Sequence, residues 1–360
     1  MRSALVIGTG VIGTSVGLAL RAQAVTVHLR DVDATAVRTA AALGAGLLEA
    51  PSAAVDLAII AVPPARVGAV LAEAQAHGVA RHYTDVASVK AEPAHHAAAF
   101  DCDLTHYVGG HPMVGSARSG PLPGRADLFE WCTWALTPTA TTTTETLNTA
   151  LDLVASCGAV PVVLDAGAHD RAVGLTSHTP HVLASLVARR LLTADERAAD
   201  LARQPLRDLT RTAEADPRMW LDVLSANAAV VADLLDELGA DVAEMAAGLR
   251  SIASTDEAKR RAGADLVETM LVQARAGRAR ISGKHGARPE RFEVIEVVVG
   301  DQPGELARLF THAGRAGVNI EDIRIEHVAG HPAGVAHVSV LPGHVEPLRD
   351  VIRARGWRER

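Results

Sequence analysis

The stretch Ser3–Gly13, which reads SALVIGTGVIG, decides the fold of the amino-terminal part of this chain. Its apolar run Ser3–Gly8 predicts a buried strand, and residues Val11 to Arg21 follow with a helical pattern. A second strand is predicted over Ala24–Leu29. Parallel strands need a long crossover connection, usually a helix, so the sequence predicts one βαβ unit here.

The three glycines of this stretch follow the spacing Gly-x-Gly-x-x-Gly between the predicted strand and the predicted helix. Gly8 permits the tight turn, Gly10 lets a pyrophosphate approach the backbone, and Gly13 brings the helix against the strand. The helix opens with Val11 and Ile12, and its N-terminus can face the phosphates. Glycines also occur in many ordinary turns, but this context favours dinucleotide binding.

An acidic residue, Asp31, follows the second predicted strand, where recognition of the adenosine ribose is expected. Its carboxylate would accept hydrogen bonds from ribose hydroxyls and repel a 2′-phosphate, so NAD is the predicted cofactor rather than NADP. Two other interpretations stay open: Asp31 can be a simple turn acid, and the adjacent Arg30 can accommodate a phosphate. The predicted cofactor-binding residues are Gly8, Gly10, Val11, Ile12, Gly13 and Asp31.

Length and composition limit the class of protein. With 360 residues, of which 48% are hydrophobic and 3% aromatic, the chain is expected to form two or three domains with small aliphatic cores. A formal net charge of -7 argues against general nucleic-acid binding. Three scattered cysteines indicate free thiols rather than disulfides or a metal site, and no apolar run approaches the roughly 20 residues of a membrane span. We therefore expect a cytoplasmic protein without a bound metal.

Strand-like and helical segments alternate through the first part of the chain, which predicts a Rossmann-type α/β domain with an open, mostly parallel sheet. The further predicted strands are Asp56–Val62, His82–Val86, Leu104–Gly109, Cys132–Thr137 and Val160–Leu164. We expect this domain to span residues 1–164. From residue 165 to residue 276, Ala/Leu-rich helical patterns replace the strands, so an all-helical domain is predicted there.

The last part of the chain is expected to form a separate module. Residues 277–291 are basic and contain glycines without apolar periodicity, which is typical of a linker. Residues 292–360 then alternate so that a final short strand would complete a ferredoxin-like βαββαβ sandwich. Its predicted segments are Phe292–Val299, Gly304–Ala316, Val318–His327, Gly334–Leu341 and Val345–Arg355.

Two groups of polar residues follow predicted strands of the first domain. The run Asp85–Lys90 stands where a strand ends and a helix begins, at the carboxyl edge of the sheet where ligands collect. Its Ser88 is therefore either a helix N-cap or a hydrogen-bonding group beside a nicotinamide. The glycine-flanked loop Gly109–Gly115 supplies an imidazole, His111, near the expected position of the nicotinamide.

Because of the loop Gly109–Gly115 and the motifs around it, the chain resembles the prephenate dehydrogenases, the TyrA family of tyrosine biosynthesis. The resemblance extends over roughly residues 3–250 and rests on motifs that occur in the family's order. These motifs are Ser88-Val89-Lys90, Gly109–Gly115, His169-Asp170, Ser177–His181, and Thr210-Arg211 followed by Asp216–Trp220.

The resemblance implies an NAD-dependent oxidative decarboxylation of prephenate to 4-hydroxyphenylpyruvate. His111 is the implied hydrogen-bond acceptor and base on the 4-hydroxyl, and Ser88 is expected to bridge that hydroxyl and the nicotinamide. Arg211 is the implied cation for a substrate carboxylate, and Asp170 is expected to pair with it when no ligand is bound. The implied substrate-binding residues are Arg211, His181, His178 and Asp170.

The resemblance also implies an assembly and a regulator. Helical domains of such enzymes commonly interlock, so a homodimer is expected. The terminal module resembles an ACT domain through Asp301–Leu306 and Gly317–Ile320. Asn319 and Ile320 are the predicted effector contacts, with L-tyrosine as the expected effector. A dimerisation module that binds no ligand is the alternative.

Other functions stay open at this point. Arogenate carries an amino group where prephenate has a side-chain keto group, and no residue decides between the two substrates. The stretch Arg203–Leu206 replaces a loop that is commonly glycine-rich in the family. A 3-hydroxyacid dehydrogenase generally has a lysine at the start of the helical domain, where this chain has Asp170 and Arg171. A non-catalytic sensor of NAD and an amino acid is disfavoured by the presence of His111 and Arg211.

Overall fold

The computed structural model describes residues 1–114, 119–195, 201, 204–281, 292–327 and 333–360. The chain forms two compact units, Met1–Gly239 and Ala240–Arg360. No helix in these described ranges combines the length and the apolar character that crossing a membrane requires. Gly115 and Arg203 lie outside the described residues, and so does most of the predicted linker 277–291.

The first unit is built on a seven-stranded sheet with the order β2-β1-β3-β4-β5-β6-β7. Its strands are β1 Ser3–Ile7, β2 Thr26–Arg30, β3 Val55–Ile60, β4 Ala80–Asp85, β5 Tyr107–Pro112, β6 Thr133–Pro138 and β7 Val160–Val163. Neighbouring strands are parallel except β5 and β6, which are antiparallel. The prediction of a mostly parallel Rossmann-type sheet is confirmed.

Helices cover both faces of this sheet, as the burial of β1 shows. Ala4 and Val6 belong to one cluster of buried apolar side chains, whereas Leu5 and Ile7 belong to another. Successive side chains of a strand point to opposite faces, so the two clusters lie on the two sides of the sheet. The helices between the strands are α1 Val11–Ala22, α2 Ala34–Ala42, α3 Pro64–Ala76, α4 Ala91–Ala99 and α5 Thr144–Ser156.

One strand differs from its prediction in a way that changes the site. The predicted strand Leu104–Gly109 begins instead as a short 3-10 turn, Leu104–His106, and β5 continues to Pro112. His111 therefore lies inside a strand and not in a loop. Its position opposite Ala135 of β6 is part of an antiparallel ladder, which holds the imidazole on a rigid element.

The described residues between 165 and 276 form helices and their connections, so the predicted helical segment is confirmed. A single π-helical turn, Gly174–His178, continues the first of these helices, and a 3-10 turn covers Arg211–Glu214. Asp165 and Asp216 cap two of the helices by accepting backbone N–H groups. The helices are α6 Ala166–Val173, α7 Thr179–Arg190, α8 Gln204–Thr210, α9 Pro217–Ala226, α10 Ala228–Ile252 and α11 Glu257–Arg278.

The terminal residues form a four-stranded antiparallel sheet with the order β11-β8-β10-β9 and two helices. Its buried core includes Ile295, Leu309 and Leu348. The third predicted segment begins later than expected, because β9 starts at Asp322 rather than at Val318. The elements are β8 Glu293–Gly300, α12 Glu305–Arg315, β9 Asp322–His327, β10 Ala333–Val340, α13 Val345–Ala354 and β11 Arg358–Glu359.

Candidate active site

The glycine turn after β1 has the geometry of a nucleotide-binding turn. Gly8 has a φ of 103°, and a Cβ atom added there would lie 2.2 Å from the carbonyl oxygen of Ala61. A Cβ atom at Gly13 would lie 1.9 Å from the carbonyl oxygen of Gly8. At Gly10, by contrast, an added Cβ would meet no heavy atom within 4 Å. The first and third glycines are thus required by packing, while the second faces open space.

The start of α1 is able to receive an anion at this open space. Gly10 is the N-cap residue, and no side chain in the described ranges caps the helix, so the N–H groups of its first turn are available to a ligand. Val11 and Ile12 are the first two residues of that helix. The arrangement of residues that is present therefore fits the pyrophosphate of NAD.

Asp31 lies directly after β2, beside the glycine turn. Its Oδ2 accepts hydrogen bonds from the backbone N–H of Thr9 at 2.5 Å and from the hydroxyl of Thr9 at 2.8 Å. Its Oδ1 accepts the N–H of Asp33 at 2.9 Å. Burial raises the pKa of this carboxyl, but these hydrogen bonds outweigh burial and hold the pKa below its ordinary value. Asp31 is therefore an oriented anion at the expected ribose position.

Arg30, the alternative contact for a 2′-phosphate, is paired elsewhere in this structure. Its guanidinium forms an ion pair with Glu73 of α3. The two side chains are about half exposed, and exposed ion pairs contribute only about 0–1 kcal/mol. The pair thus weakens the NADP interpretation.

His111 is the first member of a hydrogen-bonded chain that leads into the helical segment. Its Nδ1 lies 2.9 Å from Nε2 of His169, and Nδ1 of His169 lies 2.8 Å from Oδ1 of Asp170. His169 and Asp170 are buried, and both lie on α6. The chain joins a strand of the sheet to a helix 58 residues further along the sequence.

The direction of these hydrogen bonds assigns the protons. A carboxylate only accepts, so His169 donates through Nδ1 to Asp170. With the proton of a neutral His169 ring placed on Nδ1, its Nε2 is an acceptor. His111 must accordingly donate through its Nδ1, which leaves the lone pair on Nε2. His111 is thus held as a neutral base whose accepting atom is Nε2.

The pKa of His111 supports the neutral form. Burial lowers this pKa well below the ordinary value of 6.5, and the positive charge of Lys90 lowers it further. The base is therefore unprotonated at physiological pH.

Asp170 caps α4 from another element of the structure, which corrects one prediction about this residue. Its Oδ1 accepts the N–H of Lys90 and its Oδ2 accepts the N–H of Ala91, each at 2.8 Å. Both carboxylate oxygens are buried and already accept hydrogen bonds from backbone N–H groups, so the predicted ion pair between Asp170 and Arg211 is wrong for this structure. A carboxylate at a helix N-terminus is also favoured by the helix dipole.

A buried ionic group lies directly behind His111. The Nζ of Lys90 forms an ion pair with Asp85 and donates to the carbonyl oxygen of Gly110 at 2.6 Å. The hydroxyl of Tyr107 donates to the other oxygen of Asp85 at 2.7 Å. Burial lowers the pKa of Lys90, although Asp85 opposes that shift, and burial raises the pKa of Tyr107 well above its usual value. These contacts fix the backbone that carries His111.

Ser88 lies in the connection between β4 and α4 and is half-buried. It is not the N-cap of α4, because that position belongs to Lys90 and the capping carboxylate comes from Asp170. The capping interpretation of Ser88 is therefore wrong. Its hydroxyl stays a candidate for contact with a ligand at the carboxyl edge of the sheet.

His178 and His181 lie on either side of the junction between the π-helical turn and α7, and both are buried. The ring of His181 stacks on Trp220 with centroids 3.5 Å apart and planes at 3°, and His178 contacts the same indole edge-on at 6.2 Å. Nδ1 of His181 and the hydroxyl of Thr179 are buried without a hydrogen-bond partner among the described residues. Trp220 is thus the wall against which both imidazoles are held.

Arg211 lies in the exposed 3-10 turn that packs against α7. Its guanidinium forms no hydrogen bond or ion pair with the part of the chain that the structure describes. It shares the α7 neighbourhood with His181, but its contact with a substrate stays a prediction.

Four residues with strong contacts in this site were not among the predicted site residues. The signal for His169 was its place beside Asp170 in a motif, and the signal for Asp85 and Lys90 was their position at the carboxyl edge of the sheet. For Asn227 the sequence held no signal, because its contacts come from helix packing. The four residues are His169, Lys90, Asp85 and Asn227.

The nucleotide-binding turn and the buried histidine chain define the class of a nucleotide-dependent dehydrogenase. Comparison with known families agrees: the nucleotide-binding domain of prephenate dehydrogenase matches residues 16–163, and the prephenate dehydrogenase dimerization domain matches residues 165–271. The chain belongs to the prephenate dehydrogenase family. The predictions of this family, of an NAD-dependent dehydrogenase and of NAD as cofactor are confirmed.

Individual relatives cover most of the chain. The probable prephenate dehydrogenase NovF of Streptomyces niveus is 43% identical over 99% of both chains. Among solved structures, arogenate dehydrogenase of Synechocystis has a TM-score of 0.66 at 20% identity and covers 77% of this chain and 98% of its own. Prephenate dehydrogenase of Aquifex aeolicus, in complex with hydroxyphenyl propionate and NAD+, has a TM-score of 0.66 at 23% identity and covers 78% and 99%. The two structures support the fold.

The glycine turn gives a prediction that separates packing from cofactor binding. In Gly13→Ala the new methyl group would collide with the turn, so we expect a lower melting temperature of the cofactor-free protein, from an overpacking cost of about 1–3 kcal/mol. In Gly10→Ala the methyl group meets open space, so the melting temperature should stay unchanged. The affinity for NAD should fall in this variant. Thermal unfolding and calorimetric titration with NAD measure both. Equal effects of the two variants would contradict this division of roles.

Proposed function

We propose that this enzyme oxidises and decarboxylates prephenate to 4-hydroxyphenylpyruvate. The single observation that carries the proposal is the neutral His111, whose Nε2 lone pair is assigned by the chain to His169 and Asp170. Support comes from the family and from NovF, which is named a probable prephenate dehydrogenase. Bound NAD supplies the acceptor for the hydride.

His111 acts on the hydroxyl proton of the substrate. As hydride leaves ring carbon C4 of prephenate, the hydroxyl group on that carbon becomes more acidic. Nε2 of His111 accepts a hydrogen bond from this hydroxyl and then takes up the hydroxyl proton. The bond between the ring and its carboxylate breaks, carbon dioxide leaves, and the bonding electrons complete the aromatic ring. The proton then returns to the phenolic oxygen, so His111 ends each turnover neutral. Ser88 is the proposed second contact of this hydroxyl.

His169 and Asp170 are proposed to stabilise the charged form of His111. When His111 takes up the proton, its Nδ1–H donates more strongly to His169, and the Asp170 carboxylate compensates the positive charge through the second ring. Asp170 is thus assigned a positioning role in place of its predicted contact with substrate. A comparable arrangement orients the histidine of hydrolase triads.

The anionic end of the substrate is proposed to bind on the helical side of the site. Arg211 is the proposed cation, and its guanidinium, which has no partner among the described residues, is compatible with bidentate binding of a carboxylate. His178 and His181 are proposed to contribute neutral donors, because burial lowers the pKa of both rings. Trp220 keeps the two rings in place.

Assembly and domain division follow from the same family assignment. We infer a homodimer, because a dimerization domain matches residues 165–271 and α10 and α11 expose apolar side chains. The cytoplasm is its proposed location. The proposed domains are a nucleotide-binding domain over 1–164, a helical substrate and dimerisation domain over 165–276, a linker over 277–291 and a terminal module over 292–360. The exposed apolar side chains include Val242, Leu249, Leu271 and Val272.

The terminal module is proposed to be an ACT domain that binds L-tyrosine. Its βαββαβ order is compatible with that fold. A groove in this module is lined by Phe310, Val318, Asn319 and Ile320, which combine an aromatic surface with a polar amide. Asn319 also donates to Glu321. The two predicted effector contacts thus share one concave surface.

Arogenate is the alternative substrate, and the similarity to the Synechocystis arogenate dehydrogenase keeps it open. The decisive experiment follows NADH absorbance with prephenate and with arogenate, each with and without L-tyrosine. We expect a higher kcat/KM for prephenate and inhibition by tyrosine. A preference for arogenate would favour the alternative, and no turnover of either compound would contradict the proposal. Tyrosine that changed neither rate nor melting temperature would contradict the regulatory role.

His111→Asn is expected to lower kcat by roughly 100-fold or more with little change in KM, because a general base is removed.

In the native enzyme, activity should be lost only as pH falls through the lowered pKa of His111, so the acid limb of kcat/KM lies below 6.5. Steady-state kinetics across pH measure both effects, and His95→Asn, an exposed histidine of α4, is the control. An unchanged kcat, or an acid limb that survives in His111→Asn, would contradict the assignment.

Arg211→Ala is expected to raise KM for prephenate about tenfold or more, with a smaller change in kcat, because a charged hydrogen bond contributes about 1.5–3 kcal/mol. Arg189→Ala removes another exposed arginine, from α7, and should leave KM unchanged. Initial-rate kinetics and NAD titration measure the two variants. A normal KM in Arg211→Ala would move the carboxylate site to other residues.

A further inference from the structure

Asn227 occupies the corner between α9 and α10, and its side chain is buried. Its Nδ2 donates to the backbone carbonyl oxygen of Asp170 at 2.9 Å. The same Nδ2 lies 3.1 Å from Nδ1 of His178. One amide group therefore contacts both the helix that orients His111 and a ring proposed to bind substrate.

The chemistry of these contacts fixes the orientation of the amide. The carbonyl oxygen of Asp170 can only accept, so the amide must present its nitrogen and not its oxygen. An NH₂ group has two hydrogens, and the second is directed to Nδ1 of His178. Nδ1 must then accept, and in a neutral ring the proton resides on Nε2.

The environment of His178 favours the neutral ring. Burial lowers its pKa, and the carboxylate of Asp170 opposes that shift. The opposite tautomer would place an N–H group against the N–H of Asn227, with no acceptor between them. The contact with Asn227 therefore selects one of two tautomers that are otherwise close in energy.

We propose that Asn227 is a positioning residue that holds His178 as a neutral Nε2–H donor for an oxygen of the anionic substrate. This inference rests on the proposed function, since it names a determinant of substrate binding at the same site. A neutral donor binds a carboxylate or keto oxygen without adding a second buried positive charge beside His111.

The tautomer is measured first, in the native protein and without any substrate. Long-range ¹H–¹⁵N correlation spectra of protein labelled at histidine distinguish a ring protonated at Nε2 from one protonated at Nδ1, and His178→Gln assigns the signal. We expect the Nε2–H form for His178. A proton on Nδ1 of the neutral ring would overturn the inference, even if the enzyme were active.

Kinetics then test the consequence with Asn227→Asp, which preserves shape and replaces the donor by an acceptor. Because this change also removes the hydrogen bond to the carbonyl oxygen of Asp170, the melting temperature of the variant is measured beside its kinetics. His178 should now donate through Nδ1, and KM for prephenate should rise about tenfold, with kcat within about threefold and NAD affinity unchanged. Asn148→Asp makes the same chemical change at an exposed position of α5 and should have no effect. A folded Asn227→Asp protein with native KM and an unchanged tautomer would overturn the inference.

A double-variant cycle separates positioning from general structural support. In a His178→Gln background, Asn227→Asp should add little to the increase in KM, because the ring on which it acts is gone. Fully additive effects on KM would mean that Asn227 acts through the fold. If native protein shows no turnover of prephenate, the proposed function fails, while the spectra still decide the tautomer.

Discussion

The buried carboxylate of Asp170 is the interaction on which the site depends. It accepts the N–H groups at the start of α4, the helix that follows the carboxyl edge of β4, and it also accepts the proton-bearing nitrogen of His169. A single anion thus attaches α6 to the nucleotide-binding sheet and sets the tautomer of His111. If the Asp170 carboxylate were removed, its buried hydrogen-bond donors would all lose their acceptor. These hydrogen bonds therefore depend on one another.

A second buried charge stands behind the same strand. Lys90 is almost completely buried with Asp85, and burying two charges costs several kcal/mol per ion before their attraction is counted. Further hydrogen bonds of Lys90 compensate part of this cost. Its Nζ donates to the carbonyl oxygen of Gly110, and its backbone N–H donates to Asp170. The positive charge near His111 also keeps the imidazole neutral. These contacts hold the backbone that carries His111 in one position.

Local patterns predicted most of the fold, and they were less accurate where pairing between distant strands decides the boundaries. The βαβ unit, the helical segment and the terminal βαββαβ order follow from periodicity and glycine punctuation, which act over a few residues. His111 was expected in a loop, but the antiparallel ladder between β5 and β6 extends the strand through it. Ser88 was a reasonable N-cap by type, yet the cap of α4 is supplied by Asp170. Neither outcome is encoded near the residue concerned.

The sequence by itself determined the nucleotide-binding turn and the family, and it singled out His111 as the imidazole to examine, because each depends on short motifs whose backbone geometry is local. Only the tertiary structure decided which nitrogen of that imidazole is free and which partners hold it. The contacts responsible join residues that are 58 and 80 positions apart. Hydrogen bonds over such separations exist only once the helices pack on the sheet and exclude water, so no local pattern can specify their direction.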